Sequence, residues 1–268
     1  MKKLSFLFII TIIITSCNVT ESIVFDKSMS GNYVTGFDLS PMMEYANKNR
    51  PPSEERERRE KMDTTIVFNE FLKTYKDSIA TLPEEERLKL EKLKGMVLDI
   101  EMDEAKSVFN FNMSKEFEAF DELKTIYEQT DEAMNYVKDI GNKDGQAPQQ
   151  QLDEFTKTEK VTFSFKNNTF SRFQPATLDS NNSVEDDKGE EEESAEDDQM
   201  KDMMMMQFED VLSNSFYTLV YTFPKKVKSV SSKDATISED GKTVTYKVSW
   251  SAINGDASIM NLDVVLED

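Results

Sequence analysis

The sequence predicts an α+β fold, in which an antiparallel β-sheet built from hairpins carries helices packed on one face. Two observations predict this fold, and a third predicts a linker within it. Short runs of alternating apolar residues occur in adjacent pairs joined by turn residues, as in β-hairpins. Between these pairs, apolar residues recur at every third or fourth position, as in amphipathic helices. The segment 179–199 contains eleven acidic residues and one lysine, so we expect a disordered acidic linker there.

The first half of the chain alternates predicted hairpins with helices. Gly31 supplies the first turn, Ser40 is placed to cap the first helix, and Gly95 is placed to end the last helix. Thr81 to Glu84 resembles a capping box that opens this last helix. The predicted elements are strands at 23–27 and 32–38, a helix at 41–48, a charged extended break at 49–63, helices at 64–80 and 81–94, and strands at 96–102 and 108–111.

The second half contains the longest predicted helix and most of the strands. Ser114 is placed to cap this helix and Gly141 to stop it. Asn167-Asn168 and Asp240-Gly241 are the turn signals of two further hairpins. The predicted elements are a helix at 115–140, a loop at 141–152, strands at 161–165 and 169–173, a helix at 199–213, and strands near 215–223, 226–231, 234–238, 242–249 and 257–266.

These elements suggest one domain interrupted by a linker. We expect a lipoprotein signal peptide at 1–16 and the first part of the α+β domain at 17–178, with a helical insertion at 41–94. The acidic linker at 179–199 follows, and a helix with the C-terminal strands at 200–268 completes the same domain.

The N-terminal segment has the pattern of an export signal. Lys2 and Lys3 precede an apolar run, Leu4 to Ile14, that is too short to span a membrane. The next residues, Thr15-Ser16-Cys17, complete a sequence that resembles the lipobox of bacterial lipoproteins. That resemblance implies cleavage before Cys17, diacylglycerol on its thiol and an acyl chain such as palmitate on its new amine. The alternative is an ordinary signal peptide that happens to contain a cysteine.

Composition excludes several classes of function. The chain carries 52 acidic and 32 basic residues, and its net charge of −20 disfavours binding to nucleic acid. It has no histidine, so it cannot use Ser-His-Asp or Cys-His catalysis or a His-ligated metal. Cys17 is the only cysteine, and lipidation would remove its thiol from chemistry. We therefore predict a protein that is not an enzyme and that holds no cofactor or metal.

Two segments, one within the acidic linker and one directly after it, raise hypotheses of metal binding. We rank both hypotheses below a structural role for the same residues. Soft thioether sulfurs bind Cu(I), but three of the five methionines also share one helical stripe with Phe208, Val211 and Leu212, which favours packing. Those three are Met200, Met203 and Met204. The acidic run Glu185–Asp198 could hold Ca²⁺ weakly, yet Val184 stands where a calcium loop needs an aspartate, so a solvated linker is favoured. The methionines concerned are Met200, Met203, Met204, Met205 and Met206.

Two features of the C-terminal strands are also ambiguous. A lysine cluster could meet lipid headgroups or the acidic run of the same chain. Trp250 is expected to pack in or beside the sheet, with the rim of a ligand pocket as the alternative. The lysines are Lys225, Lys226, Lys228 and Lys233.

The two ends of the mature chain resemble LppM-like bacterial lipoproteins. The resemblance lies in Ile23-Val24-Phe25-Asp26 and Gly31-Asn32-Tyr33 near the start, and in Phe223 to Val227 and Ser238 to Val244 near the end. It covers about a third of the chain. It implies a β-rich, anchored domain that handles lipid or glycolipid, and it supplies no catalytic residues.

We expect a membrane-anchored envelope lipoprotein that binds a protein partner in a structural or assembly role. The alternatives are a module that binds lipids or amphiphiles, and a carboxylate-dependent hydrolase with no identified acidic pair. Asn18 follows the anchor where an inner-membrane retention signal has aspartate, and no acidic cluster at residues 18–20 resembles a surface-export signal. These features favour the outer membrane, facing the periplasm.

Overall fold

The computed structural model describes residues 18–49, 61–130, 161–176 and 214–268. Their strands form an eight-stranded sheet of order β10-β11-β8-β1-β2-β5-β4-β3 and a four-stranded sheet of order β6-β7-β12-β9. The strands are β1 Asn18–Phe25, β2 Gly31–Asp38, β3 Lys61–Val67, β4 Met96–Asp103, β5 Val108–Phe117, β6 Thr162–Lys166, β7 Thr169–Phe173, β8 Phe216–Thr222, β9 Val227–Val230, β10 Thr236–Ile237, β11 Thr243–Ser249 and β12 Leu262–Leu266.

The helices are short and lie between or beside these strands. They confirm an α+β fold, but one whose sheet is large and mixed rather than a series of hairpins. The helices are α1 Ser40–Asn49, α2 Phe68–Thr74, α3 Lys76–Ile79, α4 Glu84–Lys92, α5 at 122–130 and α6 Trp250–Gly255, with 3₁₀ turns at Glu104–Lys106 and Ala257–Met260.

The predicted hairpins are confirmed where the turn chemistry is local. β1 pairs antiparallel with β2, β4 with β5, and β6 with β7. Asn167 and Asn168 both take positive φ angles, 51° and 60°, which is the backbone that a two-residue hairpin turn requires. Gly241 likewise has a φ of 75°, a conformation that glycine adopts without steric cost.

The prediction that the sheet is antiparallel throughout is wrong. β1 and β8 run parallel, with Glu21 opposite Leu219 at the middle of the pair. These two strands are far apart in the sequence, so no tight turn imposes an antiparallel pairing on them. The four-stranded sheet, rather than helices alone, covers part of the inner face of the larger sheet.

Two predicted helices begin too early. Residues 61–67, expected as a break and the start of a helix, form β3, because a run of β-branched residues there pairs with β4. Residues 115–117, expected to open the long helix, continue β5 in register with β2, and Lys115 also pairs with β4. The described helix starts at 122, and the predicted part beyond 130 lies outside the described residues.

Three smaller predictions also fail on local grounds. The Ser40 hydroxyl accepts the Phe109 N–H rather than capping its own helix. The Thr81 hydroxyl donates to the Ser78 carbonyl, and Pro83 occupies the cap of α4 without a side-chain bond. Part of the strand predicted at 257–266 is a 3₁₀ turn, and the preceding α6 was not predicted.

Apolar side chains fill the space between the two sheets. Aromatic rings from both sheets pack in contact there, with Phe170 of β7 at 5.4 Å from Phe25 and 5.0 Å from Tyr221, measured between ring centroids. A second cluster at the β3–β5 side includes Phe68, Leu93 and several strand residues. Since α2 and the residue after α4 contribute to it, these helices close the inner face there.

A substitution at Gly31 tests the β1–β2 hairpin. A Cβ on Gly31 would lie 1.9 Å from the Val24 carbonyl oxygen, a backbone atom that cannot move aside. We expect Gly31→Ala to lower the free energy of unfolding by about 1–3 kcal/mol or more, measured by urea denaturation. Gly255→Ala is the control, since nothing lies within 4 Å of its Cβ position. Equal effects of the two substitutions would contradict this packing.

Candidate functional site

Glu21 is the most unusual residue of the interior. It lies in the middle of β1 on the inner face, where its neighbours Val19 and Ile23 are both core residues, and its side chain is 0% exposed. A carboxylate removed from water is unfavourable unless charged and hydrogen-bonding partners surround it. Its surroundings therefore decide whether this residue serves structure or chemistry.

Arg172 supplies the opposite charge from the other sheet. It lies on β7 and is also fully buried. Its Nε lies 3.3 Å from Glu21 Oε1 and its Nη2 lies 3.4 Å from Oε2, a two-pronged contact. The ion pair therefore joins the eight-stranded sheet to the four-stranded sheet.

Two tyrosines of β8 complete the surroundings of the carboxylate. Glu21 lies opposite Leu219, so Tyr217 and Tyr221, two residues to either side, project onto the same face. The Tyr217 hydroxyl donates to Oε2 at 3.1 Å, and the Tyr221 hydroxyl donates to Oε1. Both carboxylate oxygens thus accept one phenol in addition to the guanidinium.

The third nitrogen of the guanidinium, Nη1, is also hydrogen-bonded. Arg172 Nη1 donates to Gln174 Oε1 at 3.0 Å and to the Met260 carbonyl at 3.3 Å. The backbone N–H of Gln174 donates to Asn261 Oδ1 at 2.6 Å, which fixes the segment that carries the amide. Every nitrogen of Arg172 therefore has an acceptor.

The pKa values of several groups in the cluster are shifted strongly from their usual values. Burial, and after it the negative charge of Glu21, raises the pKa of Tyr221 and of Tyr33 well above the usual value of 10.0. The pKa of Tyr217 is raised for the same reasons. Burial lowers the pKa of Arg172, but the charge of Glu21 outweighs this effect and raises that pKa well above its usual value. The phenols stay protonated and the guanidinium stays charged at neutral pH.

This arrangement is a closed network rather than an acid–base site. The carboxylate accepts four hydrogen bonds from three residues, the guanidinium donates four hydrogen bonds to three residues, and neither group is exposed. A general acid or base must reach the proton of a substrate, and this pair cannot do so without opening the two sheets. Its described geometry suits a structural role, in which the ion pair of Glu21 and Arg172 locks the two sheets together.

The sequence pattern did not predict this cluster. The first strand was predicted to begin at 23, whereas it begins at Asn18, so Glu21 was left outside it. The available signal was the alternation Val19-x-Glu21-x-Ile23-x-Phe25, which puts a carboxylate at an inward position. Arg172 gave a similar signal, because it lies two residues after Phe170 and therefore on the same inward face of its strand.

The sequence-predicted site residues fall in three places. Cys17, the five clustered methionines and the acidic run Glu185–Asp198 lie outside the described residues. Trp250 is only 7% exposed and its ring stacks on Tyr217 at 6.5 Å, which confirms the packing interpretation. The lysines stay on the surface of the C-terminal strands.

The position of Lys225 and Lys226 bears on the headgroup hypothesis. Both follow β8, which runs parallel to β1, so they lie at the end of these strands opposite to Asn18. An eight-residue strand is roughly 25 Å long. Lys228 and Lys233 continue along and beyond β9. Lys225 and Lys226 therefore lie about one strand length from the end of the sheet that follows Cys17.

The described residues contain neither a membrane-spanning helix nor a cluster of metal ligands. In those residues no helix is long and apolar enough to cross a membrane. Nor do residues 18–49, 61–130, 161–176 and 214–268 bring together three or more acidic, histidine or cysteine side chains that could hold a metal ion.

A double-mutant cycle tests the lock. Arg172→Met leaves the Glu21 carboxylate buried without its cation, and we expect it to lower the free energy of unfolding by about 3–5 kcal/mol. Glu21→Met combined with Arg172→Met removes both charges and should cost clearly less than Arg172→Met alone. The measurement is urea denaturation, with Lys48→Met as a control because it breaks only an exposed pair with Glu44. Additive effects of the two interior substitutions would contradict the lock.

The raised tyrosine pKa values predict alkaline sensitivity. In the unfolded chain these phenols ionise near pH 10, whereas in the folded protein they resist ionisation, so stability is intact below pH 10 and falls as the pH rises above it. Tyr221→Phe should lower stability at pH 7 through the lost hydrogen bond, yet show a shallower decline above pH 10. Urea midpoints between pH 7 and pH 11 measure both effects, and parallel declines would refute the assignment to Tyr221.

Comparisons with known proteins add little to this picture. No family model matches the chain, and no curated protein matches it. Among solved structures, the chain is similar to the folded domain of LppM from Mycobacterium tuberculosis, determined by NMR, with a TM-score of 0.39 and 8% sequence identity over 94% of this chain and 91% of that one. At that TM-score the likeness carries no conclusion about function.

Proposed function

We propose that this chain is a lipid-anchored envelope protein that binds a protein partner in a structural or assembly role and does not act as an enzyme. The observation that carries the proposal is the packing between the described strands of the two sheets. The aromatic rings there are in mutual contact, and the charged groups among them, Glu21 and Arg172, have partners within the fold. Close packing of this kind among the described residues favours action through the outer surface over binding of a lipid between the layers.

The start of the fold determines how close to the sheet an anchor at Cys17 would lie. β1 begins at Asn18, so the first residue of the sheet follows the proposed lipidated residue directly. Without a linker, the Asn18 end of the sheet would rest at the membrane surface, since adjacent Cα atoms are about 3.8 Å apart. We place the protein at the outer membrane, facing the periplasm, with a partner that approaches the sides or the far end of the sheets.

A change at the anchor tests the first half of the proposal. Cys17→Ser should abolish incorporation of labelled palmitate and move the protein from the membrane fraction to the soluble fraction, because multiple acyl chains hold a protein far more firmly than a protein surface does. Ser16→Ala keeps a small residue before the cysteine and serves as the matched control. A Cys17→Ser protein that still sediments fully with membranes would refute the anchor.

The second half requires recovery of what the protein binds. Cross-linking in intact cells, followed by purification in detergent and mass spectrometry, should recover a specific envelope protein in proportion to the bait. Stoichiometric recovery of a lipid inside the purified protein would instead favour the amphiphile-binding alternative. Recovery of neither would count against both.

A further inference from the structure

β3 is a long strand at the edge of the larger sheet. It spans seven residues, Lys61–Val67, pairs with β4 in unbroken register, and stands last in the strand order. Residues 61–65 are all exposed. The other edge strands of the described sheets are shorter, with two residues in β10, five in β6 and four in β9. An exposed edge of this length offers a row of backbone donors and acceptors to an added strand.

The inner side of β3 continues the apolar floor of the sheet. Met62, Thr64 and Ile66 lie opposite residues of β4 that point to the same face. Met62 is 41% exposed, whereas the buried Leu98 opposite Ile66 belongs to the second core cluster. A strand added next to β3 would therefore find an apolar surface for every second side chain.

The outer side of β3 and β4 is acidic. Asp63 lies directly opposite Glu101, and Asp99 lies opposite Thr65 on the same face. Like charges at directly opposed positions destabilise a sheet. Glu101 accepts a hydrogen bond from Asn110 at 3.1 Å and Asp99 accepts one from Thr65 at 2.6 Å, so neutral donors leave both charges in place.

Among the described residues, few cations lie near this acidic face. Lys61 lies opposite Asp103, and Lys106 pairs with Asp103 at 3.3 Å. Both lysines lie beside Asp103. The carboxylates of Asp63, Asp99 and Glu101 therefore leave the outer face at this edge negatively charged. This surface repels a second copy of the same edge, because pairing two such strands would bring their acidic faces together.

We infer that β3 is a docking edge for an extended segment of a partner protein in which basic residues alternate with apolar ones. The segment adds as a ninth strand, sets its apolar side chains beside Met62, Thr64 and Ile66, and sets its basic side chains beside the acidic outer face. This inference rests on the proposed partner-binding function and names the surface and the chemistry of that partner.

The test uses the full chain in detergent and a synthetic nine-residue peptide of alternating lysine and valine. The peptide is N-methylated at alternate residues, so that it has only one hydrogen-bonding edge and cannot self-associate. Fluorescence anisotropy of the labelled peptide measures its affinity. We expect saturable binding, no binding of the matched glutamate–valine peptide, and weaker binding as salt is raised.

Charge-reversed variants locate the binding. Asp63→Lys combined with Glu101→Lys should weaken binding about tenfold or more, because attraction becomes repulsion. Glu239→Lys changes an exposed charge in the turn before β11 and should leave the affinity unchanged. Equal losses in both variants would show attraction to net charge alone and would overturn the assignment to β3.

A proline pair separates strand addition from simple charge attraction. The N–H groups of successive residues point to opposite edges of a strand, so one of Thr64→Pro and Thr65→Pro removes a bond to β4 and the other removes only a free edge donor. Thermal denaturation identifies the variant that keeps its stability. That variant should lose peptide binding about tenfold although every carboxylate remains, and retained binding would overturn the inference.

Two further outcomes would show that something other than a partner protein occupies the β3 edge. No binding to the unaltered chain, with the β3 amides protected from exchange, would show that another segment of this chain occupies the edge. Self-association lost in the same proline variant would show that a second copy occupies it. Either result overturns the inference. Because peptide binding does not require the acyl chains, failure here leaves the Cys17→Ser result intact, and the reverse also holds.

Discussion

The arrangement of the two sheets depends on one ion pair, Glu21 with Arg172. Each group alone would cost several kcal/mol to remove from water, and only their mutual attraction together with further hydrogen bonds offsets that cost. Aromatic pairs prefer certain ring orientations, but several arrangements of a ring cluster bury similar area at similar energy. A two-pronged guanidinium–carboxylate contact does not, so the pair fixes where β7 crosses β1. The buried charges thus select one docking geometry from many that would bury similar apolar area.

The register of β8 against β1 is part of the same constraint. Tyr217 and Tyr221 reach Glu21 because they lie two residues on either side of its opposite neighbour. A slip of one residue would turn both phenols to the other face and leave the carboxylate oxygens short of donors. The pairing that completes the larger sheet and the network that joins the two sheets therefore stabilise each other.

This dependence explains what could be read from the sequence. The hairpins at β1–β2 and β6–β7 were predictable because adjacent residues encode them, as Asn167-Asn168 shows. β3 and the end of β5 were not, because strand neighbours override a local helical pattern in those segments. The network was the least predictable feature. Its hydrogen bonds join residues 151, 196 and 200 positions apart, and pattern within a window carries no information on such pairs.

The packing between the sheets shifts the question of function to the edges and the outer face. β3 lies four strands to the side of β1, which directly follows Cys17. With strands about 4.8 Å apart, that displacement is roughly 19 Å, which moves the edge away from the strand that follows the anchor. A partner's strand could then approach β3 from the side without displacing the bilayer. The same acidic face that hinders self-pairing would attract a basic segment, so one surface provides both selectivity and attraction.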